Sequence, residues 1–399
     1  MPSHLKNLDN SQLTIAIIGA GIAGLTAARA FAKTGAIVHI FEKAEELLEI
    51  GASVQLSPNA TRILRELDLT TPLTDVWTEP HSVRLTDARS LKVIAEVPVS
   101  ELSKNVWNAP YAILRRAALQ TVLSDAIVND PNCHLHLNCS VAFDSERAFM
   151  DDLTDKIGKK PNLIIGADGI WSSTRNLLWM AGKPKYSKYI AWRFNADITA
   201  RADLPSEISN SRSVHVLMGS ANHTAIYPVD ENGSSNVIFV SKSKDETKDH
   251  LDITSELSRH ALNEDAVHML TASHQLGCWP IYEVSDGAWS NNENIVLIGD
   301  AAHAMMPFMA QGAGMAIEDG YVLANMVAKS NGNVKSAIID FEIKRKFRIL
   351  KVKSRTAFNR FAYHAIGPIR WGRDFVLSRK SPASLGRGLD WLYGWKPDD

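Results

Sequence analysis

Two kinds of apolar patterning alternate along this chain. Thr14-Ile15-Ala16-Ile17-Ile18, Ile37-Val38-His39-Ile40-Phe41, Asn162-Leu163-Ile164-Ile165 and Ile295-Val296-Leu297-Ile298 are short runs with few polar positions. Such runs predict strands covered on both faces, as in a parallel sheet. Ile22 to Lys33 has helical character, so the first two runs and this segment predict a strand–helix–strand unit. A second helical pattern begins at Met315-Ala316-Ile317. Between these blocks, Tyr189-Ile190-Ala191-Trp192-Arg193-Phe194, Val214 to Met218, Ala225-Ile226-Tyr227 and Val237-Ile238-Phe239-Val240 predict strands of an antiparallel sheet. Ser145 to Lys160 is charged and irregular, which leaves local strand pairing open there.

No repeat, low-complexity tract or Pro/Gly-rich linker marks a domain boundary, so the domains are expected to nest. Residues 1–182 and 277–370 would form one domain in two parts, 183–276 an inserted antiparallel-sheet domain, and 371–399 a C-terminal tail. A chain of 399 residues is long enough for two domains with a sizeable core. With 43 Lys/Arg against 44 Asp/Glu, net charge gives no argument for a nucleic-acid partner. Three cysteines, Cys133, Cys139 and Cys278, are too few and scattered for a disulfide framework, which suits a reducing compartment. Residues 1–13 lack a signal-peptide core, and no apolar run of about 18 residues exists to span a membrane. These features together read as cytoplasmic.

Chemistry concentrates where the buried strands end. Gly19-Ala20-Gly21-Ile22-Ala23-Gly24 follows the first strand and opens a helix, and Glu42 ends the second strand. Glycines at that turn let backbone approach a pyrophosphate, and an acid about 20 positions on holds ribose hydroxyls. The fingerprint alone fits NAD or FAD. Near the other end, Gly299-Asp300-Ala301-Ala302 leaves a strand on a small-residue turn. Beyond Pro307, Gln311-Gly312-Ala313-Gly314-Met315 precedes the second helix, and its amides would form an anion site of roughly half a positive charge. A third stretch, Gly166-Ala167-Asp168-Gly169 with Ser172 and Arg175, lies between them.

In combination and order, the three stretches resemble the class A flavoprotein monooxygenases, with their dinucleotide fingerprint, "DG" motif and "GD" motif. The chain is most similar to the salicylate hydroxylase group: Gly51 to Ala60 matches its segment near the flavin, Arg116-Ala117-Ala118-Leu119 its "RxxL" helix start, and Trp391-Leu392-Tyr393-Gly394-Trp395 its tail. The resemblance implies a glutathione-reductase-type (p-hydroxybenzoate hydroxylase-like) FAD-binding Rossmann domain, an inserted antiparallel-sheet substrate domain and C-terminal helices. It places FAD against Gly19, Gly21, Gly24, Glu42, Lys43, Gln55, Arg116, Asp168 and Asp300, with Gly312, Ala313, Gly314 and Met315 facing the isoalloxazine. NADH or NADPH would visit transiently, since no second fingerprint exists. With O2 the enzyme would then hydroxylate a small phenolic or heteroaromatic substrate through a flavin C4a-hydroperoxide.

On the substrate side, His223 and Tyr227 lie four apart before Pro228, as in some members of that group. On a strand both would point to one face. They are expected to hold and deprotonate a ring hydroxyl, histidine being suited by an ordinary pKa near 6.5. Arg193 and Pro307 complete the expected substrate contacts, Arg193 as a carboxylate partner. His303 is read as structural. The Cys133–Cys139 stretch reads as a strand, since alternation puts its cysteines and histidines on opposite faces. Basic residues from Lys344 to Arg360, Arg345 and Arg348 among them, read as the solvated face of a packed helix, the alternative being a membrane-surface helix. Two rival functions stay open at this point: a quinone-pathway or isoprenoid hydroxylase, and a flavin-binding regulatory module without turnover. Substrate, donor preference and oligomeric state stay open too, a homodimer among the states.

Overall fold

The unbroken apolar runs become neighbouring strands of one parallel sheet, because only a strand covered on both faces can bury every side chain. A computed structural model describes residues 12–47, 53–197, 206–209, 212–230, 234–244, 246, 252–260, 262–264, 266–267 and 277–397. The sheet comprises β1 (Thr14–Ile18), β2 (Ile37–Phe41), β7 (Cys133–His136), β8 (Leu163–Gly166) and β14 (Ile295–Leu297) in the order β14-β8-β1-β2-β7. Chain order reverses on either side of β1. In open α/β sheets the crevice at such a switch point, beyond the strands' carboxyl ends, is where ligands bind. The fingerprint, the DG motif and the GD motif leave β1, β8 and β14, three adjacent strands, at that edge.

Among the described residues, the helices of nine or more residues are α1 (Ile22–Ala32), α2 (Pro58–Glu66), α3 (Arg116–Val128), α4 (Glu146–Ile157), α5 (Gly312–Lys329), α6 (Val334–Tyr363) and α7 (Gly367–Arg379). Helix α1 is buried on nearly all sides, between the sheet and α5. The irregular stretch Ser145–Lys160 is α4. Ser145 caps it by accepting from the Ala148 amide at 3.1 Å, and Gly158 ends it in the left-handed conformation. Its apolar face is only Phe149 and Leu153, too sparse to stand out from the charges around it.

The second sheet is larger than the 183–276 block and is not wholly antiparallel. It runs β13-β9-β12-β11-β10-β4-β5, with β4 (Val83–Asp87), β5 (Val93–Val97), β9 (Pro184–Asp197), β10 (Val214–Met218), β11 (Asn222–Pro228), β12 (Ser234–Lys242) and β13 (Gly277–Val284). β4 and β5 come from before the expected domain and β13 from after it, and β10 pairs with β4 in parallel. The sheet thus grows outward from the hairpins β10–β11–β12, and its edges are supplied by the chain that also builds the first sheet. A two-stranded ribbon, β3 (Ser53–Leu56) with β6 (Ala112–Arg115), bridges the two halves.

Candidate active site

The cofactor crevice is shaped by backbone. Gly19 has φ +100°, and a Cβ there would stand 2.6 Å from the Ala167 carbonyl oxygen, so the turn after β1 and the turn after β8 meet without side chains between them. Glu42 is positioned by two amides, Ala20 N at 2.8 Å and Ala44 N at 3.0 Å. Lys43 beside it is exposed. Asp168 accepts from the Ser172 hydroxyl and from Thr174 N and Oγ1 at 3.0 and 3.1 Å, so its carboxylate shapes the DG turn. Arg175 then ties that turn to the GD turn, donating to the Ile170 and Ala301 carbonyls at 2.6 and 2.9 Å.

At the GD turn Gly299 has φ +58°, and a Cβ would meet that of Ala23 at 2.9 Å, so α1 and the turn pack face to face. Asp300 is exposed on the rim of a cleft that also holds Arg193, Trp279 and Pro307. At the start of α5, Gly312 is exposed and Ala313 half-buried. Met315 donates its amide to Gln311 O at 2.8 Å and is fully buried, so the amides left for a ligand are those of Gly312, Ala313 and Gly314. Added atoms at Gly314 would meet Gln311 and Asn59 at 3.2 and 3.5 Å; its closeness is to α2. Gln311 Nε2, Ser57 Oγ and Asn59 Oδ1 form a buried chain at 2.8 and 2.7 Å that fixes this helix start against the residues after β3. Gly51 and Ala52 of that segment lie outside the described residues.

Beneath the crevice lies a buried ion network. Asp319 accepts from Gly299 N at 2.9 Å, bonds His303 Nε2 at 2.6 Å and accepts from Arg345 Nε at 2.7 Å. Glu318 accepts from Arg345 Nη1 at 2.6 Å, Arg348 Nη2 at 2.8 Å and Asn59 Nδ2 at 2.7 Å. Burial alone would raise both carboxyls, and the guanidiniums of Arg345 and Arg348 with His303 outweigh it, holding both below their ordinary values. Arg345 and Arg348 are therefore not part of the solvated face expected from sequence. They face inward at 1% and 8% exposure, since the two carboxylates on α5 supply what burial takes away.

The residues fit FAD. Arg193 lies near Arg116, whose charge adds to burial in working against the Arg193 cation. Arg193 Nε is buried without a hydrogen-bond partner. Two adjacent cations, an unmet donor and three helix-start amides make a crevice short of an anion.

On the other side of Pro307 is a cavity of about 180 Å³ between β4, β5, β10 and β11 and the C-terminal helices. Val83, Leu85, Val97, Val99, Val214 and Val216 form its aliphatic wall. Its polar groups sit apart: Tyr111 donating to Gln55 Oε1 at 2.7 Å, Asn359 Nδ2 bonding Tyr363 at 3.2 Å, His223, Tyr393 and the one cation among its described lining residues, Arg355. Gln55 and Pro307 stand where cavity and cofactor crevice adjoin.

His223 lines this cavity; Tyr227 does not. The two side chains share a face of β11, yet four residues of strand separate their Cα atoms by about 13 Å. Tyr227 donates to Ser53 O at 3.3 Å, and burial pushes its hydroxyl pKa up. Tyr227 also interacts with the Gln55 side chain, so it stands at the cavity's edge while His223 lines its wall. Arg193 also misses the cavity, opening onto the Asp300 cleft with its guanidinium 5.7 Å from the Trp279 ring centre. His223 is paired with a residue that sequence gave no reason to choose: its Nδ1 is 2.9 Å from His364 Nε2, at the end of α6. Burial drives His223 down to about 3 and His364 to about 2, the latter helped by His223. At neutral pH both are uncharged, so the ordinary pKa expected for His223 does not hold. Asn359, Tyr363 and His364 were missed because α6 reads as a charged helix, although Thr356, Asn359 and Tyr363 recur at inward-facing spacing.

Comparison with known proteins defines the class. Residues 12–346 match the family model described as FAD binding domain. The chain is 29% identical over 394 residues to 3-hydroxybenzoate 6-hydroxylase 1 of Aquipseudomonas alcaligenes, covering 95% of this chain and 97% of the relative. It is 30% identical over 323 residues to the aurachin C monooxygenase/isomerase of Stigmatella aurantiaca, covering 79% and 81%. Its fold is that of a solved salicylate hydroxylase substrate complex, with TM-score 0.77 at 20% identity, over 97% of this chain and 96% of that one. The chain belongs to the FAD-binding-domain family and is an FAD-dependent monooxygenase of the class A aromatic hydroxylase type.

Proposed function

We propose that this monooxygenase hydroxylates a small phenolic or heteroaromatic ring held in the cavity behind Pro307, with NADH or NADPH as transient donor. The observation that carries the reading is a one-ring cavity beside the crevice: cavities of about 150 Å³ hold benzene, and this one is about 180 Å³. The name of one relative fits, that of an enzyme acting on 3-hydroxybenzoate. FAD, when bound and reduced, supplies the activated oxygen.

The chain's own residues do the rest. Glu42, Arg116, Arg193 and Asp300 bind FAD, and the amides of Gly312 to Gly314 stabilise negative charge on it without reorganising. The aliphatic wall excludes water and holds the ring plane. His223 accepts the hydrogen bond of a ring hydroxyl through Nε2, its Nδ1–H donating to His364. A proton leaving the substrate would pass to Nε2 while Nδ1–H moves to His364 Nε2; His364 also lines the open cleft at the end of α6, through which that proton would leave. Tyr227 fixes β11 against Ser53 rather than touching substrate.

The test is NADH and NADPH oxidation by the purified yellow protein against a panel of hydroxylated benzoates and hydroxypyridines under 18O2. A product one labelled oxygen heavier, with donor oxidation stimulated by that compound, is expected. Labelled product from no panel member, despite bound FAD, would contradict the substrate class.

A further inference from the structure

Among the described residues, 19 large apolar side chains are exposed, and ten of them fall within residues 343–376. On α6, Ile343, Phe347, Leu350, Phe358 and Phe361 follow at helical spacing on the side opposite Phe341, Ile349 and Val352, which are buried. So α6 is apolar on two opposite faces and only one is covered. Helix α7 has no buried residue, and Trp371 and Phe375 stand 72% and 59% exposed on it.

Charge follows the same segment. Residues 334–387 contain 14 Lys/Arg and three Asp/Glu, a net +11, whereas the remainder holds 29 and 41, a net −12. Two of the three acids are already engaged, Glu342 with Lys346 and Ser290 and Asp374 with Arg370 and Arg373. Where α6 ends, a cleft of about 930 Å³ is lined by Lys188, Lys242, Lys244, Arg259 and Arg360, with no carboxylate among the described residues of its lining and with Phe361, Ile366 and Ile369 as its apolar wall.

Three occupants could cover such a face. Arg345 and Arg348 face inward and are neutralised there and Arg370 pairs with Asp87, yet the outer face stays basic. A second copy would set its exposed cations against themselves across a twofold axis, since an isologous contact opposes each patch to itself. An acidic protein would meet the charge and leave the aromatic stripe without a reason. An anionic lipid surface meets both, with phosphodiester headgroups above an apolar layer and cations flanking protruding aromatics.

We propose that the outer faces of α6 and α7, with the basic cleft between them and β12, dock this enzyme on an anionic bilayer surface. Headgroups enter the cleft, whose wall includes Phe361 and Ile369, and Trp371 and Phe375 enter the acyl boundary. Docking is peripheral, since no helix among the described residues is long and apolar enough to cross a membrane. Phe358 belongs to the exposed stripe and also lines the substrate cavity, so the docked face and the cavity share a wall.

The experiment sediments FAD-loaded enzyme with phosphatidylcholine vesicles, with and without phosphatidylglycerol, at low and high salt. Binding only to the anionic vesicles, released by salt, is expected. Lys242→Gln with Lys244→Gln should weaken it roughly fivefold per cation removed, and Trp371→Gln with Phe375→Gln should abolish most of it, all four residues being exposed and FAD content unchanged. No binding to anionic vesicles would overturn the proposal. So would a stable dimer, seen by light scattering, that the aromatic double variant dissociates.

Discussion

The cofactor crevice and the substrate cavity adjoin at Gln55 and Pro307 yet are built on different principles. The crevice is made of backbone: turns at Gly19 and Gly299, amides at Gly312 to Gly314, and acids held by amides. Each part is a short local signal at the end of a strand, and the parallel sheet brings the signals together. The cavity is made largely of side chains from β4, β5, β10 and β11 and from four helices of the last third of the chain, of which only the tail with Tyr393 lies in a stretch that resembles the family's. A site built of backbone limits which residues can stand there, whereas a site built of side chains lets the wall change while the cofactor stays.

The largest effect should come from the network that joins the two. Arg345→Met leaves Asp319 and Glu318 short of a buried partner, and breaking such a pair costs about 3–5 kcal/mol. Denaturant unfolding should show that loss, with FAD retention falling as well. If the variant is as stable as wild type, the network does not hold crevice and helices together.

Asp300→Ala should act on one side alone. Removing a charged acceptor for ribitol hydroxyls costs roughly 1.5–3 kcal/mol of FAD affinity, while unfolding of the apoprotein stays the same because Asp300 is exposed. Unchanged FAD affinity would separate the GD turn from the cofactor.

The cavity side has its own signature in pH. His223 and His364 are held near 3 and 2 against an ordinary 6.5. Below 6.5 the unfolded chain takes up protons that the folded chain refuses, so stability is complete above 6.5 and falls as pH drops toward 3. The slope approaches about 1.4 kcal/mol per pH unit for each histidine. Urea unfolding at pH 7 and pH 5 should show it, and His364→Asn should remove its share, leaving those of His223 and of His39, which burial holds near 4. Equal slopes would mean that the pair is not buried as described.

The smallest effect is expected at the start of α5. Gly312→Ala adds a methyl group to an exposed position, so apoprotein stability should stay within about 0.5 kcal/mol while the FAD absorption spectrum shifts. A stability loss with an unchanged spectrum would place the ring elsewhere.

How much was legible follows the same division. β1, β2, β10, α1 and the α5 start are where the apolar pattern puts them, since each is set by neighbours in sequence. The crevice followed from glycines and acids at strand ends. Arg345 and Arg348 were misread because their partners, Glu318 and Asp319, lie about one helix upstream, and a charge pattern does not reveal which charges are paired inside. Strands β4, β5 and β13 of the second sheet fall outside the 183–276 block and were not read from sequence, because pairing over long separations leaves no local trace. His364 was invisible for the same reason: it stands 141 positions from His223, and only the fold of α6 over the second sheet joins them.

The account's central claim is that cofactor binding and substrate chemistry are carried by separable sets of residues. It is tested most directly by measuring FAD content, donor consumed and product formed in one sample, for wild type and His223→Gln, with the best substrate of the panel. The variant should keep its FAD and its substrate-stimulated NAD(P)H oxidation. Its hydroxylation step should slow by roughly 10²–10⁴-fold, with the missing electrons recovered as hydrogen peroxide. Loss of FAD from the variant, or product formed one-to-one with donor at the wild-type rate, would contradict the claim.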